Sequence, residues 1–339
     1  MLAGLLGVSI TLAITIGPVK IDPLNVWRIV GHHWLPWAGV QIGDIPKAQE
    51  NIIWLIRMPR VLLAGIVGAS LAVVGVAMQA MVRNPIAEPY ILGVSSGASV
   101  GAVLVILLGW FKFWGHYALS GAAFVFGLAS FLIVFLLAQK GGRISPLRLI
   151  LVGVAVSHVL SAITSFVTFR TPRAEGIQNA LFWLAGTVAG AKWQLLQLPA
   201  LALLVGTVIL LLQARSMNAL VAGEETAVTL GVNTNRFRFL LMTVSALLVG
   251  TMVAVAGSIG FVGLIMPHIV RLVFGSDHRR VLPISALAGA IFLIWVDVGA
   301  RMVVAPQELP IGIITSVIGG PFFLWLLRYR SRQFDGAMR

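Results

Sequence analysis

Hydrophobic runs of about 20 residues recur along nearly the whole chain, and each is long enough, at roughly 1.5 Å per helical residue, to cross a hydrocarbon core about 30 Å thick. Stretches such as Leu201 to Leu212 and Leu240 to Ala256 are apolar on every face. They lack the alternating ten-residue segments of a membrane β-barrel, so helices must satisfy the backbone inside lipid. Composition agrees: 59% of the residues are hydrophobic and 10% charged, whereas a soluble domain is about a quarter charged. A soluble enzyme is excluded, and the chain is read as an all-α polytopic membrane protein.

Ten crossings are predicted, at 1–19, 60–82, 93–110, 118–138, 147–169, 195–213, 236–256, 258–275, 282–302 and 311–328. The first run has neither a basic leader nor a small-residue cleavage site, so it is read as a retained helix. An even number of crossings puts both termini on one side. The segments on that side hold 14 of the 24 basic residues, including Arg83, Arg215, Arg236, Arg279, Arg280 and the basic tail, which assigns both termini to the cytoplasm. The net charge of +13 then reflects basic loops on an anionic leaflet and not a nucleic-acid partner. Trp27, Trp34, Trp37, Trp54, Trp110, Trp114, Trp183 and Trp193 fall near membrane ends, as an interfacial belt does. The absence of cysteine excludes thiolate metal sites and cysteine nucleophiles.

Two stretches are too broken for simple spanning helices. One is Asn84-Pro85-Ile86-Ala87-Glu88-Pro89 followed by Gly93 to Gly101, whose glycines at spacing four make one small face. That face suits either tight helix packing or an interrupted helix that shapes a path. The other runs from Ala256 through Gly263 to Pro267-His268, at the corresponding place in the second half. Matched interruptions of this kind suggest a weak inverted repeat.

Between the sixth and seventh crossings, residues 214–235 read as a pair of short helices on the cytoplasmic face. Leu220, Ala227 and Leu230 sit at helical spacings, Glu224 and Glu225 suit a helix start, and Gly231 stops the second helix. Two acids and few large apolar residues suit a protein partner better than lipid.

The segment Glu225-Thr226-Ala227-Val228-Thr229-Leu230-Gly231 resembles the Glu-x-Ala-x-x-x-Gly coupling loop of ABC importers. Taken with Arg57-Met58-Pro59-Arg60, the Asn-Pro-x-Ala-x-Pro stretch at 84–89, Phe182-Trp183-Leu184-Ala185-Gly186, Gly260 to His268 and Glu308-Leu309-Pro310-Ile311-Gly312, it makes the chain similar, from about residue 50 to 328, to the FecCD family of permeases. That resemblance implies a type II ABC importer fold in a single permease domain over residues 1–339, located in the bacterial inner membrane. It implies that the chain pairs with a second copy of itself or a close paralogue, with two ATPase subunits beneath and a periplasmic binding protein above. The cargo would be a ferric siderophore, with haem or cobalamin as alternatives. The chain has no Gly-x-x-x-x-Gly-Lys-Ser/Thr run, so ATP and Mg are expected on the partner ATPase, with no cofactor and no catalytic site here.

Carried over residue by residue, the resemblance assigns ATPase coupling to Asn218, Gly223, Glu224, Glu225, Ala227 and Gly231. It assigns binding-protein docking to Arg57, Arg60 and Arg301 at outer membrane ends, where snorkelling is the plainer alternative; Arg301 also stands four residues from Asp297 on one helix face. The fifth crossing would line the translocation path through Ser157, His158, Ser161 and Thr164, with Ser165 and Thr168 extending the hydroxyl-rich set. The preceding loop, with Ser145, Pro146 and Leu147, would form the cytoplasmic gate. The cobalamin permease carries small polar residues where Pro146 and Leu147 fall, which implies a stiffer, more apolar constriction here. His158 fits path lining or a helix-packing hydrogen bond. His32, His33 and His116 lack partners at ligand spacing, so no metal site is expected. A proton-coupled secondary transporter is the rival class; it needs several buried acids or histidines on one path, and only Asp297 and His158 stand mid-membrane, on different helices.

Overall fold

The computed structural model describes residues 1–337 apart from 18, 20, 141, 142 and 173. In chain order the helices are α1 (Leu2–Thr15), α2 (Pro23–Trp34), α3 (Lys47–Asn51), α4 (Met58–Val82), α5 (Val94–Leu108), α6 (Ala118–Ala138), α7 (Pro146–Arg170), α8 (Ala174–Leu184), α9 (Trp193–Leu212), α10 (Ala214–Ala222), α11 (Glu224–Thr229), α12 (Thr234–Ala256), α13 (Val262–Phe274), α14 (His278–Met302) and α15 (Ile311–Ala337). A π-helical turn, Ile52–Arg57, joins α3 to α4 without a break. A two-residue antiparallel ladder, Gln139–Lys140 with Arg143–Ile144, precedes α7.

All ten predicted crossings correspond to helices, and six of these are long and apolar enough to cross a membrane: Lys47–Val82, Lys112–Ala138, Leu147–Arg170, Trp193–Leu212, Thr234–Ala256 and His278–Met302. Three fall short. Helices α1, α5 and α13 have 14, 15 and 13 residues, about 20 Å each at the α-helical rise, because Ile16, Gly93 and Gly257 to Phe261 leave the helical region. Helices α2 and α8 are not among the helices long and apolar enough to cross a membrane, and they lie where the sequence reading left loops. Asp22 caps α2 by accepting from Leu24 N–H at 2.8 Å, and Pro23 occupies its first turn.

The core centres on α4, which packs against α14, α12, α13 and α9. Nearly every side chain of α4 is buried, so it reads as continuously apolar. Its closest neighbour is the start of α13: a Cβ on Gly75 would overlap the Gly263 carbonyl, so only glycine permits that approach. The glycine face at 93–101 packs in the same manner. Cβ atoms on Gly97 and Gly101 would run into the backbone of α6 at Phe126 and Ala122, so close helix packing is the role of this face.

The two interrupted stretches meet. Tyr90 Oη accepts from Ile259 N–H at 2.7 Å and donates to Ile259 C=O at 2.5 Å, while Glu88 Oε1 accepts from Phe261 N–H at 2.8 Å. Ser95 and Ser258 are hydrogen-bonded at 2.9 Å, and Gln79 donates to Gly263 C=O at 3.0 Å. Irregular backbone within a membrane domain must be satisfied by protein, and here one break supplies the partners of the other.

Candidate functional site

At one end of the molecule α9 turns into α10, and α11 leads back into α12. The turn between α10 and α11 is Gly223, at φ 143 and ψ 154. Gly231 closes α11 at φ +81, its N–H donating to Val228 C=O at 2.9 Å while Val232 N–H donates to Ala227 C=O at 2.9 Å. This is a Schellman closure, which places its one left-handed residue where glycine costs least. Ala227 is fully buried beneath it.

Both helices are braced against the bundle. Asn218 donates to Asp277 Oδ1 at 2.8 Å, and its own Oδ1 accepts from His278 N–H at 3.0 Å and lies 2.6 Å from His278 Nδ1. The amide hydrogen bond from Asn218 holds the Asp277 carboxyl below the usual carboxylate range. Arg238, buried at the start of α12, donates both guanidinium ends to the two oxygens of Glu224 at 3.0 Å each. That bidentate contact lowers the Glu224 carboxyl below its ordinary pKa. Glu225 makes no side-chain hydrogen bond among the described residues and is exposed. Leu230, at helical spacing with Leu220 and Ala227, is 67% exposed while they are buried. Val221 and Val228 are exposed apolar side chains of the same helix pair, and Glu225 is exposed on it too.

At the opposite end of the bundle, the predicted docking arginines point inward. Arg57, Arg60 and Arg301 are each only 5–6% exposed. Arg57 donates to the carbonyls of Ile14, Thr15 and Val19 at 2.7, 3.2 and 2.6 Å, and Arg301 to those of Ala13 and Ile16 at 3.0 and 3.1 Å. Together they cap the C-terminus of α1, whose last carbonyls have no helical partner. Arg60 bonds Asp297 at 2.9 Å and both oxygens of Glu308 at 2.9 Å. Asp297, fully buried, also lies 3.1 Å from Arg301 Nε, the spacing-four pair expected from sequence. In the single chain these guanidinium groups are turned into the bundle. They form a buried charge network joining α1, α4, α14 and the segment before α15.

Helix α7 is the least covered of the long helices. Leu147, Leu151, Val159 and Phe166 are each at least 60% exposed; His158, Ser161 and Ser165 are exposed too, while Ser157 is half-buried. Thr164 is buried and donates to Leu160 C=O at 3.0 Å, as Thr168 does to Thr164 C=O at 2.8 Å, so these two hydroxyls are satisfied within their own helix. Ser145 is exposed at the N-cap and makes no capping bond; Pro146 begins the helix, and its side chain lies outside the described residues. Helix α15 also shows bare apolar positions, Ile313, Val317 and Ile318.

Sequence reasoning missed the polar cluster at the two breaks. Glu88, Tyr90, Ser258 and Ser316 line a cavity of about 510 Å³ with Phe261 and Gly312. An acid set between two prolines, in a stretch too broken for a spanning helix, was the available signal.

The described residues thus form a helical bundle with two interlocked breaks and a braced helix pair at one end. Comparison with known proteins places it. A cobalamin import system permease protein of Halobacterium salinarum is 45% identical over 304 residues, covering 88% of this chain and 80% of that one. A hemin transport system permease protein of Yersinia pestis is 43% identical over 289 residues, covering 84% and 85%. The chain also superposes on a solved metal-chelate type ABC transporter in an inward-facing conformation with a TM-score of 0.83, at 34% identity and 97% coverage of both chains. The model of the FecCD transport family matches residues 5–329, and with the whole bundle accounted for in this way, the chain belongs to the FecCD transport family of ABC importer permeases.

Proposed function

We propose that this chain is the membrane-spanning subunit of an ATP-driven importer that carries a bulky metal chelate, a ferric siderophore in the first instance, from periplasm to cytoplasm. The observation that carries this reading is the braced helix pair α10–α11, which presents Val221, Glu225, Val228 and Leu230 outward while Asn218 and Glu224 fasten it to α14 and α12. Such a pair is a lever: a partner that pushes on these side chains moves α12 and α14 through contacts that do not yield locally. With no P-loop in the chain, the pusher is an ATPase subunit that binds ATP and Mg. Two of these lie at the cytoplasmic face of the inner membrane, where both termini also lie.

The uncovered faces of α7 and α15 receive a second copy of the chain or a close paralogue. The path runs between the paired α7 helices, past Ser157, His158 and Ser161, to a gate formed by Ser145, Pro146 and Leu147. Selection belongs to a periplasmic binding protein that docks on the end carrying the arginine network; Arg57, Arg60 and Arg301 give that surface its shape from beneath. Relatives named for cobalamin and for hemin support a bulky metal chelate and keep both as alternatives to a siderophore.

The test is accumulation of radioiron siderophore, haem and cobalamin in cells that retain the partner subunits and either carry or lack this chain. Loss of siderophore accumulation alone is the expected result. Loss of haem or cobalamin uptake alone replaces the cargo and leaves the permease role, and unchanged uptake of all three removes both.

A further inference from the structure

A cleft of about 400 Å³ opens on the side of the bundle between α1, α4, α9 and α14, on a different face from α7 and α15. Its floor is made of small residues, Gly65 and Ala290 among them, and its walls of aliphatic ones such as Ile10, Leu62 and Leu204. Every helix that bounds it is read as crossing the bilayer, and the lining residues lie near the middle of α1, α9 and α14 and in the first half of α4. Water does not fill a cleft with this lining, because a buried water needs two or more polar partners. The one polar lining residue is Thr207. Left empty, the walls would lose their packing contacts on one side.

A second feature marks one end of the cleft. Along α9, Trp193, Ala200, Leu204 and Thr207 stand at i, i+7, i+11 and i+14, a single stripe, and the last three line the cleft. At the head of that stripe the Trp193 ring lies 4.6 Å from Trp54, and its Nε1 donates to Trp54 C=O at 2.7 Å. Trp34 approaches both rings, and His33 stacks on Trp54 at 4.2 Å. Clustered indoles with a wet histidine are what a membrane protein places at the headgroup level. The stripe thus runs from an interfacial aromatic cap down into an apolar slot, which is the profile of one phospholipid.

We propose that the cleft between α1, α4, α9 and α14 is a binding site for a single phospholipid, with an acyl chain in the slot over Gly65 and Ala290 and the headgroup at the Trp34–Trp54–Trp193 cluster. The site is independent of the cargo and of the ATPase. The lipid wedges α1 and α9 against the central pair α4 and α14.

The experiment is native mass spectrometry of the full chain, reconstituted in phosphatidylethanolamine and phosphatidylglycerol and released from detergent under conditions that strip annular lipid. The wild type should retain one phospholipid per chain. Gly65→Leu fills the floor, where an added Cβ meets only the side chains of Ile294, at 3.4 Å and more, and Ala290, at 4.0 Å. Leu204→Trp blocks the rim at a position 63% exposed, so it remains informative should the first variant fold poorly. Each should lower lipid occupancy about ten-fold, given the several methylenes displaced from the slot. A wild-type chain that sheds all lipid, a bound mass that is detergent or peptide, or folded variants that keep the lipid would each overturn the proposal.

Discussion

Asp297 shows how far single residues could be read. Its pairing with Arg301 follows from spacing four on one helix, but its partnership with Arg60 spans 237 positions, and no local pattern announces it. The same distance effect hid the role of Arg57, whose hydrogen-bond partners are carbonyls of α1 and leave no mark in the side-chain sequence. Because the pair is dry, removing one member is costly: Asp297→Ala should destabilise the chain by about 3–5 kcal/mol, as uncompensated buried charge does, and thermal unfolding in detergent reads it. A loss below about 1 kcal/mol would mean that the network is solvated. Glu224 presents the opposite case, since its carboxylate is 46% exposed and its contact with Arg238 is screened. Its folded-state pKa is depressed, so its contribution is present above the unfolded value near 4.5 and is lost as pH falls through the folded value. Glu224→Gln should therefore be less stable than wild type at neutral pH, by at most about 1 kcal/mol, and the gap should close as the solution is acidified through that range. A gap that stays constant with pH would show that the carboxylate is not the source.

Elements were legible in proportion to how much of their signal is local. The ten hydrophobic helices and the α10–α11 pair rest on run length, acids at a helix start and a closing glycine, all of which are short-range. Helix α2 was missed although Asp22-Pro23 is an ordinary cap and first turn, because its mixed composition does not register as a membrane run; α8, at 11 residues, was missed for the same reason. Leu230 turns outward because α11 ends one residue before it, so helical spacing does not fix its direction. Gly231 carries the clearest prediction at this scale. Proline there would force φ to about −65° where the chain needs +81° and would delete the N–H that donates to Val228, unravelling the end of α11. Gly231→Pro should leave assembly with the ATPase detectable by copurification while abolishing uptake and leaving ATP hydrolysis running, and uptake at the wild-type rate would refute the lever. Gly231→Ala, which pays only the left-handed penalty of about 1–2 kcal/mol, should fall between the two.

For the whole molecule, the sequence implied a bundle but could not say which faces stay bare, since a helix that is apolar all round looks the same whether it meets protein or lipid. Helices α4 and α7 have the same length and similar runs, yet almost all of α4 is buried and almost none of α7. The difference lies in glycines: Gly68 and Gly75 let α14 and α13 close on α4, whereas α7 has a single glycine, Gly153. A bare helix with hydroxyls and a histidine on its exposed face is poorly suited to lipid, which cannot satisfy them, and well suited to a wet path between two copies. The chain is free of cysteine, so the arrangement can be tested by introducing one thiol at a time. Leu147→Cys, 66% exposed at the proposed gate, should form an intermolecular disulfide under mild oxidation in the resting transporter, because two gate residues facing across a closed path fall within the Cα separation of about 7 Å that a disulfide tolerates. Val208→Cys, 47% exposed on α9, should remain a thiol in the same membranes. Addition of ATP with a working ATPase should then slow cross-linking at Leu147→Cys as the gate opens. Cross-linking at Val208→Cys but not at Leu147→Cys would move the second copy to the α9 side and with it the path, since a gate belongs where the two halves of the channel meet.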